Sequence, residues 1–187
     1  MGKVISFEDR AVATLRDRLG AAESANEDLI AFARGHSGAT ASIHAAVLAL
    51  MAADGIDALF DVVTKQWPRI LGLDEIVLAL VADDRGFRVQ NGLIEEVEAK
   101  LIDRAVDQVD GVTMRTVTRG HPFFGQAAAK MRSEALILLP SGAPLPYGFL
   151  LLGQKVEASL DARHGAQLLG FLGDSLGAML RRWIIDP

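Results

Sequence analysis

The chain contains no cysteine. Disulfides, thiolate nucleophiles, iron–sulfur clusters and Cys-ligated zinc are excluded together, and the redox compartment is left open. The histidines are His36, His44, His121 and His164, with no His-x-x-x-His and no carboxylate-flanked pair, so no metal site is expected. No G-x-S-x-G elbow, Walker loop or dinucleotide fingerprint occurs, and Ser133 and Ser141 stand near strand ends without a base at motif spacing. No catalytic residue is therefore assigned. No run approaches the ~18 apolar residues of a membrane span, and MGKVISFEDRAV has neither an apolar stretch nor a cleavage-like site. The expectation is a cytoplasmic chain, neither exported nor embedded in a membrane. Lys and Arg total 19 against 24 Asp and Glu, a net charge of −5, which argues against a nucleic-acid partner. Arg163, Arg181 and Arg182 are the best basic candidates and lie scattered on one predicted helix.

What is present is a chain of 187 residues, half of them hydrophobic. That suffices for one domain with an appendage. At the start, Ser6 and Asp9 make a helix-opening pattern. Val12, Leu15, Leu19, Ala22, Asn26 and Leu29 then recur with alternating spacings of three and four, until Gly35 and Gly38 interrupt the stripe. With Val12 at a heptad a position, Asn26 is also at a, where a buried amide fixes register and strand number. Arg18 and Glu23 fall at g and the following e, an opposite-charge pair across a parallel dimer. Residues 1–40 are expected to form a dimerisation coiled coil; a helix packed on its own domain is the alternative. Residues 41–187 form the globular domain.

In that domain, helices are expected from about Ser42 and from Asp57, the latter as cap, with Gly72 ending the second and Pro68 a potential kink. EIVLALVAD and GFRVQ read as strands, IEEVEAKLIDRAVDQ as helical, and VTMRTVT as a half-buried strand. ALILLPSGAPLPYGFLLLGQ is a pair of apolar strands joined by a short Pro-rich loop, hence an antiparallel hairpin covered on both faces. DARHGAQLLGFLGDSLGAMLRRWI closes the chain as a helix with Asp161 as cap. Its Gly170, Gly173 and Gly177 form one stripe that permits close packing.

SEALILLPSG, YGFLLLGQ and SLDARHGAQLLGFLGDSLGAML, with NEDLIAFAR and DALFDVVTKQWPRILGLDEIVLAL upstream, resemble the DUF484 family of small bacterial proteins, which are similar to GAF domains. Gln154 and Leu160 depart from the family's pattern. The resemblance implies an α+β fold, a GAF-like antiparallel sheet of about five strands with flanking helices. It also implies a non-enzymatic sensory or ligand-binding role, since redox chemistry on GAF-like folds usually employs cysteines. The most site-like stretch is RTVTRGHPFFGQ, where Arg115, Arg119, His121, Phe123 and Phe124 gather around a rigid Pro122 between glycines. In GAF-like domains the corresponding loop covers a pocket over the sheet. These residues either contact a small ligand or, with Phe123 and Phe124, simply lid the core. Any signal then passes to a partner protein from a homodimer, and a purely structural interaction protein is the alternative.

Overall fold

The computed structural model describes residues 18–20, 23, 37–139, 146–157 and 162–185. The chain divides into two units, Met1–Thr40 and Ala41–Pro187. In the first, residues 18–20, 23 and 37–40 are helical, with Arg18, Leu19 and Glu23 exposed. Val12, Leu15, Ala22, Asn26 and Leu29 lie outside the described residues, as do Ser6 and the Asp161 cap.

The second unit opens with a helix over 41–51 (α1). A continuous helical stretch follows as Ile56–Asp61 (α2), a π-turn Val62–Gln66 and Trp67–Leu71 (α3). One expectation is corrected here. The N-cap is Gly55 rather than Asp57, whose carboxylate instead lies in the first turn, near the positive end of the helix dipole. At Pro68 the helical stretch continues, preceded by a π-turn that rearranges the backbone bonds a proline ring would disturb. Gly72 ends α3 in the left-handed conformation at φ 66°, as its sequence position implies.

Strands Glu75–Ala82 (β1), Arg85–Gln90 (β2) and Leu93–Val97 (β3) precede helix Ala99–Val106 (α4). The segment read as wholly helical is therefore split. Asn91 and Gly92 take positive φ of 51° and 74°, the geometry of a two-residue hairpin turn, and fold β3 back onto β2. Glu95 and Glu96 pair with Arg88 at 2.6 Å and Arg85 at 2.6 Å on β2. Val112–Thr116 (β4), Ser133–Leu139 (β5), Tyr147–Gln154 (β6) and the long helix Ala162–Ile185 (α5) complete the domain. Among the described residues the sheet has six strands, not five, in the order β3-β2-β1-β6-β5-β4 with every neighbour antiparallel.

Because strand side chains alternate between faces, the apolar hairpin β5–β6 feeds two separate cores. Ile137, Leu139, Leu150 and Leu152 join Ile76 and Leu78 against α1, the α2–α3 stretch and α5. Trp67 locks that layer, its indole N–H donating to the Ala46 carbonyl at 2.9 Å. The stripe on α5 packs through Gly173, where an added Cβ would meet Ile137 Cγ2 at 2.5 Å, whereas Gly177 has no neighbour within 4 Å. On the opposite face Val77, Ala79, Leu136, Phe149 and Leu151 are covered by α4 and by residues 122–131. Each fully buried Leu, Ile or Phe contributes about 1.5–3 kcal/mol, so covering both faces is what makes two such greasy strands stable side by side.

Candidate functional site

The second face is closed by Pro122–Lys130, a 3₁₀ segment broken at Gly125, whose φ of 60° and ψ of −127° reverse the chain. Its aromatics are sunk into the sheet: Phe123 is 8% and Phe124 1% exposed. Phe123 meets Phe149 edge-on at 5.2 Å between centroids. Phe124 lies directly over Gly153, so closely that a Cβ there would stand 2.6 Å from its Cζ. The described side chains thus occupy the space over this face themselves.

Two charged side chains hold the lid from the sheet. Glu134 of β5 is only 2% exposed. Its Oε2 accepts the His121 backbone N–H at 2.6 Å, while Oε1 accepts from Arg115 Nε at 2.7 Å and Nη2 at 2.6 Å. Arg88 of β2, with a side chain 14% exposed, donates from Nε to the Phe123 carbonyl at 2.7 Å. It also donates to Glu95 and to Gln90, whose amide in turn donates to Glu75 at 3.0 Å. Arg88, Gln90, Glu75, Glu134 and Arg115 all lie on the lid face, the same side of the sheet as Ala79 and Leu136. An apolar core face ringed by paired charges is a costly arrangement, because a buried charge is tolerated only with its partners in place.

His121 caps the lid, its Nδ1 accepting from the Phe123 N–H at 3.3 Å. Its ring lies 5.7 Å from Phe149. Burial, the largest influence, pushes its pKa below the ordinary 6.5; the nearby Glu134 carboxylate pulls it up and the Arg115 guanidinium pushes it down. A neutral imidazole is therefore favoured, which is the form that leaves Nδ1 free to accept.

Of the residues singled out in the sequence, Arg115, His121 and Phe123 come together around Glu134 and Phe149. Phe124 is core, and Arg119 is exposed.

A family model described as "Protein of unknown function, DUF484" matches residues 1–185. The chain belongs to the DUF484 family. No curated protein matches it. Among solved structures, this DUF484 protein is similar to the chromophore-binding domain of an unusual bacteriophytochrome from R. palustris, at 13% identity and a TM-score of 0.57 over 78% of this chain and 62% of that one. The chain thus spans less than two thirds of that domain. It is also similar to a far-red-absorbing, dark-state protein with bound biliverdin (13% identity, TM-score 0.54, 76% of this chain and 98% of that one). A third likeness is to free methionine-R-sulfoxide reductase from Neisseria meningitidis in complex with its substrate (15%, 0.52, 75% and 87%). At these identities the likeness is one of fold, and the fold of this DUF484 protein is GAF-like. No helix among the described residues is long and apolar enough to cross a membrane.

Sequence reasoning missed Glu134 and Arg88 in this DUF484 chain. The available signal was a carboxylate inside the apolar run SEALILL, two residues before Leu136 and hence on the same face. Arg88 carried no such signal, since its partner is a backbone carbonyl 35 residues away.

Proposed function

We propose that this protein is a non-enzymatic, GAF-like binding module of sensory or regulatory kind, with the lid face of its sheet as the ligand site. The observation that carries this reading is the lid's attachment. Apolar packing alone would seal the face, yet the lid backbone hangs on Arg88 and Glu134, polar groups that a ligand could engage in its place. Neighbours described as chromophore-binding and as substrate-bound support a ligand role for the fold. In the same reading the protein is cytoplasmic, residues 1–40 pair two copies through the Val12 to Leu29 stripe, and ligand-dependent packing is passed to a partner protein. A thermal-shift screen of nucleotides and small metabolites on the full chain, followed by native mass spectrometry, tests it. A stabilising compound retained in the folded protein is expected, and a screen without any stabilised hit overturns it.

A second reading is favoured by Phe124, whose ring fills the space over Gly153. Here the face is filled for good and the protein is a structural scaffold whose coiled coil is the working surface. It predicts no ligand, and a dimer whose mass by size exclusion is independent of added metabolites.

A further inference from the structure

The segment His121–Pro122–Phe123 is held as a bound peptide is held. Its outer backbone groups are satisfied by sheet side chains: the His121 N–H by Glu134 at 2.6 Å and the Phe123 carbonyl by Arg88 at 2.7 Å. Two of its inner groups are satisfied locally. The His121 carbonyl accepts from Phe124 N–H at 3.0 Å, the Phe123 N–H goes to the His121 ring, and Pro122 has no N–H to place. The Phe123 ring occupies an aromatic seat beside Phe149. We propose that this segment is an internal stand-in for the ligand, and that the ligand it excludes is a short peptide or peptide-like molecule. That molecule carries an N–H donor for Glu134 at one end, a carbonyl or carboxylate for Arg88 at the other, and an apolar side chain for the seat beside Phe149.

The span selects the size. Three residues run from one anchored group to the other, at most about 10 Å if extended and less in the 3₁₀ turn they adopt here. A free amino acid, whose amine and carboxylate flank one Cα, offers a shorter reach than this three-residue segment. The signs select the polarity: the carboxylate side of the site takes only donors, and the guanidinium side only acceptors. Because the tethered segment competes at high effective concentration, the intact protein is self-inhibited, and an external ligand binds only as the lid leaves.

This inference rests on the binding-module reading, and the experiment separates the two. Acetyl-His-Pro-Phe-amide is titrated into the full-length wild type and Phe123→Ala, with binding followed by calorimetry. Phe123→Ala keeps the anchors but vacates the aromatic seat, so the probe is expected to bind it at least about tenfold more tightly than the wild type. Adding Arg88→Met removes a hydrogen bond to a charged group and is expected to weaken that binding about tenfold or more, whereas Glu134→Gln still accepts the probe N–H without the charge and is expected to weaken it by less. Free phenylalanine is expected not to bind. Equal binding to wild type and Phe123→Ala, or binding indifferent to both anchors, overturns the inference. Should Phe123→Ala fail to fold, hydrogen exchange on the wild type decides. The His121 and Phe124 amides are expected to exchange ahead of those in β1, β5 and β6, and exchange of all together means the lid does not open. A metabolite hit unaffected by Arg88→Met and Glu134→Gln sustains the binding module while overturning this inference.

Discussion

Gly153→Ala should loosen the lid from inside the sheet. Gly153 lies in β6, paired with Glu75 on one side and Glu134 on the other. An added Cβ would stand 2.6 Å from Phe124 Cζ, 2.8 Å from Phe124 Cε1 and 2.8 Å from Met131 Sδ. Carbon atoms do not approach so closely, so something must shift, and the candidates are poor ones. Phe124 is 1% and Met131 0% exposed, and the ring is hemmed in on another side, where a Cβ at Gly120 would meet Phe124 Cδ2 at 3.0 Å. Overpacking of this kind costs roughly 1–3 kcal/mol. Against it stands the gain from a less flexible unfolded chain, about 0.4–1 kcal/mol for Gly→Ala where the backbone permits it. The steric term wins, giving a net loss of about 1–2 kcal/mol. For a chain of this length that lowers Tm by about 2–8 °C. Urea unfolding supplies the free energy and a double-mutant cycle supplies the cause: in a Phe124→Leu background the cost of Gly153→Ala should shrink by about 0.5 kcal/mol or more. A Gly153→Ala protein as stable as the wild type, or a cost unchanged by Phe124→Leu, refutes the direct seating of the ring on the glycine.

Replacing Glu134 by Ala strands the Arg115 guanidinium and the His121 N–H, and should lower stability by about 2–4 kcal/mol in urea, with Glu134→Gln costing roughly half as much because it still accepts the amide. Half-exposed Arg115 is solvated on one side, which keeps this figure below that of a fully buried pair. Since the folded pKa of His121 is held below 6.5 by burial, its contribution to stability is present above pH 6.5 and is lost as pH falls through the folded value. Urea midpoints at a series of pH values should therefore decline on that acid side in the wild type and less steeply in His121→Gln; parallel curves would remove His121 as the cause. On the proposal that residues 1–40 pair two copies, Asn26→Leu should raise the melting temperature while broadening the oligomer distribution in size-exclusion mass measurements. An unchanged dimer with no gain in melting temperature places Asn26 away from the seam.

Why the sequence conveyed the layering but not the anchors follows from how each is encoded. ALILL and GFLLL announce burial on both faces, because every position is apolar, and RGHPFFG announces a cover through its paired aromatics and its glycines. These are properties of residue type at fixed spacing. The reading of IEEV as the start of a helix failed because helical spacing was weighed over turn chemistry. Asn91-Gly92 is a strong short-range hairpin signal, and Glu95 and Glu96 are consistent with either structure. Arg88 was unreadable for a different reason: in GFRVQ it alternates with Phe87 and Val89 as a solvent-facing residue of a half-buried strand would. What it binds is the carbonyl of Phe123, a group every residue possesses, so no pattern in the sequence distinguishes it. Of the five named site residues, His121, Phe123 and Phe124 mark the lid, while Arg88 and Glu134, which hold it down, sit on strands read as packing.

That division bears on how the site could operate. The apolar part of the lid's attachment, Phe123 and Phe124, contributes about 1.5–3 kcal/mol per ring and is indifferent to direction. The polar part, one hydrogen bond each to Arg88 and Glu134, contributes about 1.5–3 kcal/mol per bond and fixes the register of the segment on the sheet. Opening the lid without a replacement forfeits the apolar contacts and one hydrogen bond each to Arg88 and Glu134, whose ion pairs with Glu95 and Arg115 stay in place, and this loss favours the closed form. A molecule that brings its own acceptor, donor and apolar group restores each term as the lid leaves, so exchange approaches balance only for that combination. A purely hydrophobic ligand would leave Arg88 and Glu134 without their lid partners, and a purely polar one would leave the seat beside Phe149 empty. On the proposed reading, selectivity on this face would arise from what must be replaced, and the lid's own chemistry would be its specification.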